Sequence, residues 1–139
     1  MAFILHAEGG IYEAQAAYSE EQTPPENFYV GLCNDTLVRA DALTDIAGEP
    51  SGSGYARQAV PSTAVGCVVS DDGTYTKTTF TEETFTASGG SWGSLNTWFL
   101  ATSIDGGGKL IASGPIDPAR VIGDGDSIAV TAYIRRSTA

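Results

Sequence analysis

The sequence predicts an all-β fold, a single-domain antiparallel β-sandwich with a short N-terminal helix. Three observations lead to this prediction: short apolar runs recur at close spacing, turn residues separate them, and one segment alone has convincing helical periodicity. Roughly seven or eight short strands with almost no helix are typical of a sandwich. We divide the chain into an N-terminal arm, residues 1–26, and a β-sandwich domain, residues 27–139.

The helix is predicted at residues 11–19, where Ile11, Ala14 and Tyr18 share one face. The pair Gly9 and Gly10 precedes it and is expected to break the chain there. Residues 24–25 are both proline, which cannot continue the hydrogen-bond ladder, so a linker is expected after the helix.

The arm carries more apolar surface than a free tail should expose to water. We expect it to serve as a docking arm that reaches a neighbouring subunit or a shell. The alternative is that it folds back over an open edge of its own sheet, which would protect unpaired strand groups. The candidate interface residues are Phe3, Ile4, Leu5, Ile11, Tyr12 and Tyr18.

The first half of the sandwich domain is expected to contain five strands, at residues 27–33, 55–60, 65–69, 75–80 and 83–87. A helical turn at residues 43–46 and an open loop over residues 48–54 lie between the first two. The Gly/Ser run at residues 51–54 lacks the Lys and Ser/Thr of a P-loop, so a plain loop is favoured over a phosphate cradle.

A hairpin over residues 94–112 is predicted to organise the domain. Residues 97–102 are apolar or β-forming at every position, so this strand should be covered on both faces. Residues 105–108 supply the turn, and residues 109–112 return as a shorter strand.

The last predicted strand covers residues 127–135 and follows a turn at 123–125. Its apolar positions alternate with polar ones and should face the core. The candidate core residues of the domain are Phe28, Val30, Leu32, Trp98, Phe99, Leu100, Ile128, Val130 and Ile134.

Seventeen acidic residues against seven basic ones give a net charge of −10, which repels phosphate backbones and anionic lipids. We therefore expect neither a nucleic acid nor a membrane as partner. The N-terminus lacks the basic region of a signal peptide, so we expect a soluble protein that is made in the cytoplasm. Free thiols at Cys33 and Cys67 are favoured over a bridge, although their pairing is left open.

Catalytic and metal chemistry finds little support. His6 is the single histidine and lies in a segment whose order is in doubt, which disfavours a catalytic triad or a zinc site. Glu82 and Glu83 are adjacent and would face opposite ways on a strand. For Asp124 and Asp126, a hairpin turn with solvated carboxylates is favoured over a calcium site. We expect no catalytic residue, no metal and no cofactor.

Two tryptophans, Trp92 and Trp98, are the candidates for a sugar-binding face. Large aromatic side chains in so small a chain are more often part of the core, and we favour that interpretation for both.

The chain resembles a family of small virion structural proteins of tailed bacteriophages. The segments that carry the resemblance are, in order, FYVGL at 28–32, LTDI at 43–46, GSGYAR at 52–57, FTA at 85–87, WG at 92–93, FL at 99–100, GKLIA at 108–112 and GDS at 125–127. Together they cover nearly the whole chain after the linker.

The resemblance implies a non-enzymatic virion component, made in the host cytoplasm. Our first expectation is a capsid decoration, or cement, protein that binds the major capsid protein, as a homo-oligomer and specifically a trimer. The alternative is a tail, baseplate or fibre-associated protein that presents Trp92, Tyr55 and nearby loops to a receptor or a tail component. A small hydrolase is the third class left open. The absence of long repeats disfavours a fibre shaft and slightly favours decoration.

Overall fold

Ten strands form the framework of the computed structural model, which describes residues 3–21, 23, 25–63, 66–71, 73–105 and 108–137. Helix α1 (Ala7–Ala14) continues into one π-helical turn (Gln15–Ser19), and a 3-10 turn spans Leu43–Asp45. The strands are β1 (Ile4–Leu5), β2 (Asn27–Cys33), β3 (Gln58–Pro61), β4 (Cys67–Asp71), β5 (Tyr75–Phe80), β6 (Glu83–Thr86), β7 (Gly93–Ala101), β8 (Leu110–Ile122), β9 (Ser127–Val130) and β10 (Tyr133–Ser137).

The strands form three antiparallel sheets. The largest has the order β1-β8-β7-β2-β3, a second has the order β10-β5-β4, and β6 pairs with β9 in a two-stranded ribbon. The predicted all-β, sandwich-like fold with one short N-terminal helix is confirmed. No helix among the described residues is long and apolar enough to span a membrane.

Strand β7 lies at the centre of the large sheet and is buried on both faces. Trp98 and Leu100 belong to the main core, whereas Phe99 packs in a smaller cluster beneath the loop after β2. Thr97 is also buried, and its hydroxyl donates to the Asp35 carbonyl at 2.9 Å, which satisfies this polar group inside the fold. The two-sided cover expected from the apolar run is thus present.

All but one of the candidate core residues are buried. The exception is Phe28, which is half-buried and packs edge-on against Phe80 with ring centroids 5.6 Å apart. The reason is its position near the start of β2, at the margin of the main core.

The return strand of the hairpin is longer than predicted. Instead of ending at residue 112, β8 runs for 13 residues to Ile122. Its pairing with β7 is interrupted between Pro115 and Arg120, so residues 116–119 leave the ladder before pairing resumes. Prolines suggest an end to a strand because they cannot donate to a ladder, but here Pro115 is the last ladder residue before the interruption and Pro118 lies within it.

The single strand predicted at residues 127–135 is wrong, because the structure divides it into two. Strand β9 pairs with β6, whereas β10 pairs with β5 in a different sheet, and Thr131 and Ala132 join them. The apolar alternation continues across this junction, since Ala132 is fully buried like its apolar neighbours. The alternation of apolar residues therefore gave no sign that the chain passes from one sheet to another between β9 and β10.

The expected break at Gly9 and Gly10 is also wrong, because both residues lie inside α1. Gly9 is required for packing: a Cβ atom there would lie 2.3 Å from the Ile111 carbonyl oxygen, so glycine lets the helix backbone approach β8. The helix consequently begins at Ala7, four residues before the predicted start.

Several predictions differ only at their ends. The strand predicted at 55–60 begins at Gln58, because Tyr55 closes a turn with its N–H on the Gly52 carbonyl. Four parts of the sequence predictions lie outside the described residues: the helix terminator at Pro24, the strand start at Val65, the turn residue Asp72 and the glycines 106–107.

Candidate functional site

His6 is fully buried and fixes the N-terminal segment to the large sheet. Its Nε2 atom lies 2.8 Å from the Ser113 hydroxyl on β8, and its backbone N–H donates to the Ile111 carbonyl. Burial lowers the pKa of the imidazole, against opposing contributions from nearby carbonyls and carboxylates. His6 therefore has a structural role. Its contacts with β8 hold the N-terminal segment, whose order the sequence left open, against the large sheet.

The cysteines are both free thiols. Cys33 is fully buried in the smaller cluster, where desolvation raises the pKa of its thiol to about 12. Cys67 is half-buried at the start of β4, and its thiol lies 3.4 Å from the Pro61 carbonyl. A thiol that resists ionisation is a poor nucleophile, so the Cys33 thiol is expected to be unreactive.

Asp124 and Asp126 both use their carboxylates to accept backbone hydrogen bonds, Asp126 within its own turn and Asp124 from the loop after β6. Asp126 accepts a hydrogen bond from the Gly123 N–H at 2.9 Å, and Asp124 accepts one from the Gly89 N–H at 2.9 Å. The described residues contain no group of three or more side chains suited to hold a metal ion. These bonds agree with the turn interpretation, and the absence of an essential metal stays a prediction.

A partly buried ionic network organises the loop that precedes β3. The Arg57 guanidinium binds both carboxylate oxygens of Glu49, at 2.8 and 2.9 Å, and donates to two carbonyls of the β7–β8 loop. The Tyr55 hydroxyl donates to Glu49 at 2.6 Å and accepts from the Leu32 N–H. Burial and this carboxylate raise the pKa of Tyr55. All these groups face one another, so the network stabilises the fold and offers no free charge to a ligand.

The tryptophans are packed. Trp98 belongs to the main core, and Trp92 donates from its indole N–H to the Ser53 carbonyl at 2.9 Å. The Trp92 ring meets the Tyr55 ring edge-on at 5.4 Å. The GSGYAR and WG segments of the resemblance thus meet in space, around a structural cluster that remains half-exposed.

The candidate interface residues of the arm have different environments. Ile4 and Leu5 form β1 and pair with β8, and Tyr12 is buried in the main core. Ile11 and Tyr18 remain 60% and 87% exposed. The segment therefore covers its own sheet, as in the intramolecular alternative, and these two side chains alone among the six are strongly exposed.

One half-buried face of the β10-β5-β4 sheet joins cations to aromatic rings. Arg135 on β10 lies directly opposite Lys77 on β5, and the Arg135 guanidinium lies 5.1 to 5.4 Å from the ring centroids of Phe3, Tyr75 and Tyr133. The Lys77 ammonium lies 4.7 Å from the Tyr133 ring centroid. We call these five residues the cation–aromatic face.

The face has an unbalanced charge. Like charges directly opposite on neighbouring strands repel each other, and the rings compensate part of this cost by cation–π attraction. Of the ion pairs found among the described residues, none involves Lys77 or Arg135. Two adjacent cations above aromatic rings are suited to bind a carboxylate, and Arg can do so with two parallel hydrogen bonds.

Sequence reasoning did not find this face, although a signal was present. Tyr75 and Lys77 are two residues apart, as are Tyr133 and Arg135, so each pair shares one face of its strand. Strand pairing brings the two pairs together, and the prediction of one continuous last strand did not show that β10 pairs with β5.

A groove of about 330 Å³ adjoins the face and shares Tyr133 with it. Its walls come from the part of β8 that leaves the ladder and from β9, with Trp98 at its base. Apolar side chains line most of it, and Asp117 and Arg120 add one charge of each sign. A mixed lining of this kind has no clear ligand preference.

Comparison with protein families places most of the chain in a known family. The family model described as Gp80, podophage GP4 fiber I protein gp80, matches residues 14–134. This range contains the π-helical turn and strands β2 to β9. No curated protein matches the chain.

Proposed function

We propose, from the premise that the chain belongs to the podophage GP4 fiber I protein gp80 family, that it is a non-enzymatic structural component of a podophage tail fibre. Membership confirms the resemblance to tailed-phage virion structural proteins and makes the protein a virion component. The observation that carries the fibre assignment is the family match, which extends over nearly the whole sandwich.

The fibre assignment replaces head decoration as the favoured role. The sequence left both open and preferred decoration because no long repeats are present. The lack of repeats argues against a repetitive fibre shaft but not against a compact domain elsewhere in a fibre. The family's description names a fibre protein, which favours the alternative.

A structural role agrees with how the reactive side chains are used. The His6 imidazole is buried against Ser113, the Cys33 thiol has a raised pKa, and the Glu49 carboxylate is occupied by Arg57. As partners we propose other tail or fibre proteins and further copies of this chain, with a trimer as the expected assembly. The net charge of −10 disfavours nucleic acids and anionic membranes as partners.

Virion fractionation tests the location. Purified particles are separated into heads and tails, and the protein is quantified in each fraction by mass spectrometry against the major capsid protein. We expect it in the tail fraction at a handful of copies per particle. Hundreds of copies on the heads would overturn the fibre role and restore decoration.

A further inference from the structure

The end of the helical segment presents an aromatic ring beside two acidic residues. Tyr18 is 87% exposed, and Glu20 and Glu21 follow it closely in the exposed chain. The segment is held in place, because the Glu21 N–H donates to the Gln15 carbonyl at 3.0 Å. We call Tyr18, Glu20 and Glu21 the acidic knob.

The knob and the cation–aromatic face carry opposite charges, and each combines charged groups with aromatic rings. The face contributes two cations and three rings, and the knob contributes two carboxylates and one ring. The face also lies beside an exposed apolar residue, since Val68 is opposite Thr79 and is 59% exposed. An exposed tyrosine ring buries much apolar area on docking at a small entropic cost, so Tyr18 is a suitable anchor.

We propose that the acidic knob of one copy docks on the cation–aromatic face of a second copy of this chain. The Glu20 and Glu21 carboxylates would pair with Lys77 and Arg135, and Tyr18 would pack against the rings or Val68. A second copy is the favoured occupant because the chain carries 17 acidic residues against seven basic ones. Its surface is therefore mostly anionic, and this face is a cationic exception. The inference rests on the proposed homo-oligomer and not on the fibre location.

The charges also exclude one type of pairing. A two-fold pairing through the same face would place Lys77 and Arg135 of one copy against those of the other, which is repulsive. Docking must therefore place the knob of one copy on the face of another, either reciprocally in a two-fold dimer or head to tail. Head-to-tail contacts form an open filament unless the rotation closes them into a ring, and the expected trimer would be a closed ring of this kind.

Charge reversal tests the contact by sedimentation velocity at low ionic strength over a range of protein concentrations. The K77E/R135E variant reverses the face, and the E20K/E21K variant reverses the knob. Each should weaken self-association by at least about tenfold in the dissociation constant. The four substitutions in one chain restore opposite charges and should restore association.

The R39E/K109E variant is the matched control. Both residues are exposed basic side chains outside the face, and the variant changes the net charge by the same amount as K77E/R135E. It should associate like the wild type. Circular dichroism melts establish that each variant is folded, and if K77E/R135E is not, the milder K77Q/R135Q variant and a salt titration of the wild type replace it.

Several outcomes would overturn the inference. A wild type that stays monomeric at every concentration excludes the contact, while the fibre location keeps its own test by virion fractionation. Association that is unaffected by either reversal, or by rising salt, shows that another surface is used. If self-association of the R39E/K109E control weakens as much as that of K77E/R135E, the loss is due to the change in net charge and not to the proposed contact.

Discussion

Single buried polar residues connect distant parts of this chain. His6 joins the N-terminal segment to β8, Thr97 joins β7 to the loop after β2, and Arg57 joins its own loop to the β7–β8 loop. Leaving such a group without its partner inside the fold costs about 1 to 3 kcal/mol. These three side chains therefore specify which segments meet.

His6 predicts a dependence of stability on pH. Its folded-state pKa is lowered, chiefly by burial, so the unfolded chain binds the proton more tightly and protonation favours unfolding. We expect stability to be retained above the ordinary histidine pKa of about 6.5 and to fall as the pH drops below it. Denaturant unfolding between neutral and mildly acidic pH measures this loss.

The His6→Gln variant serves as the comparison, because it keeps a polar group near Ser113 without a titrating ring. Carboxylates contribute equally to both proteins, so the difference between the two pH profiles isolates the histidine. Parallel profiles would contradict the prediction.

Phe99 predicts a large effect of truncation. It is fully buried between Gly31, where a Cβ atom would lie 2.2 Å from the ring, and the Arg57 guanidinium at 5.1 Å. Replacing Phe99 with Ala should cost about 3 to 5 kcal/mol because it leaves a cavity in a small cluster. Urea unfolding measures this cost, and a loss below about 1 kcal/mol would show that the site is not well packed.

At the level of elements, the close contact of α1 with β8 provides a paired test. Gly9→Ala should displace the helix, since the new methyl group would collide with the Ile111 backbone, whereas Gly10→Ala meets nothing within 4 Å. We expect Gly9→Ala to lower the melting temperature. Gly10→Ala should raise stability by about 0.5 to 1 kcal/mol through helix propensity. Equal effects of the two substitutions would show that the contact is unimportant.

Local patterns predicted most elements, and long-range contacts explain the errors. The alternation in residues 27–33 and 75–80 gave the bounds of β2 and β5 correctly, because each strand has a complete pattern between turn residues. The division into β9 and β10 was not predictable from alternation, since the inward period of two is unbroken across it. Likewise, Gly9 was read as a break because the strand it contacts lies about a hundred residues away.

The candidate site was less accessible to sequence reasoning than the core. Hydrophobic side chains tend to be buried, so the core residues could be predicted from their residue types and their spacing. The cation–aromatic face depends instead on which strands pair, and Phe3 joins it from the far end of the chain. Charge totals pointed away from any cationic surface, because a net charge says nothing about local clusters.

For the whole molecule, the N-terminal segment and the sandwich are expected to unfold together. Removing residues 1–22 deletes β1, His6 and the buried Tyr12, and uncovers part of β8. We expect the shortened chain to melt at a much lower temperature or to aggregate. Differential scanning calorimetry measures this, alongside an I11S/Y18S variant of the full chain.

That control replaces the two exposed side chains of the segment and leaves its buried contacts intact. It should melt like the wild type. If the shortened chain instead melts normally but no longer assembles, the segment is an arm and residues 1–26 form a separate unit.

The stacking of Phe3 on Tyr133, with ring centroids 5.3 Å apart, brings both ends of the described chain to the same place. A short flexible linker is therefore long enough to join them, and new ends could be opened at an exposed turn such as Gly73 between β4 and β5. Such a circular permutant would retain every strand pairing while moving its ends away from the cation–aromatic face.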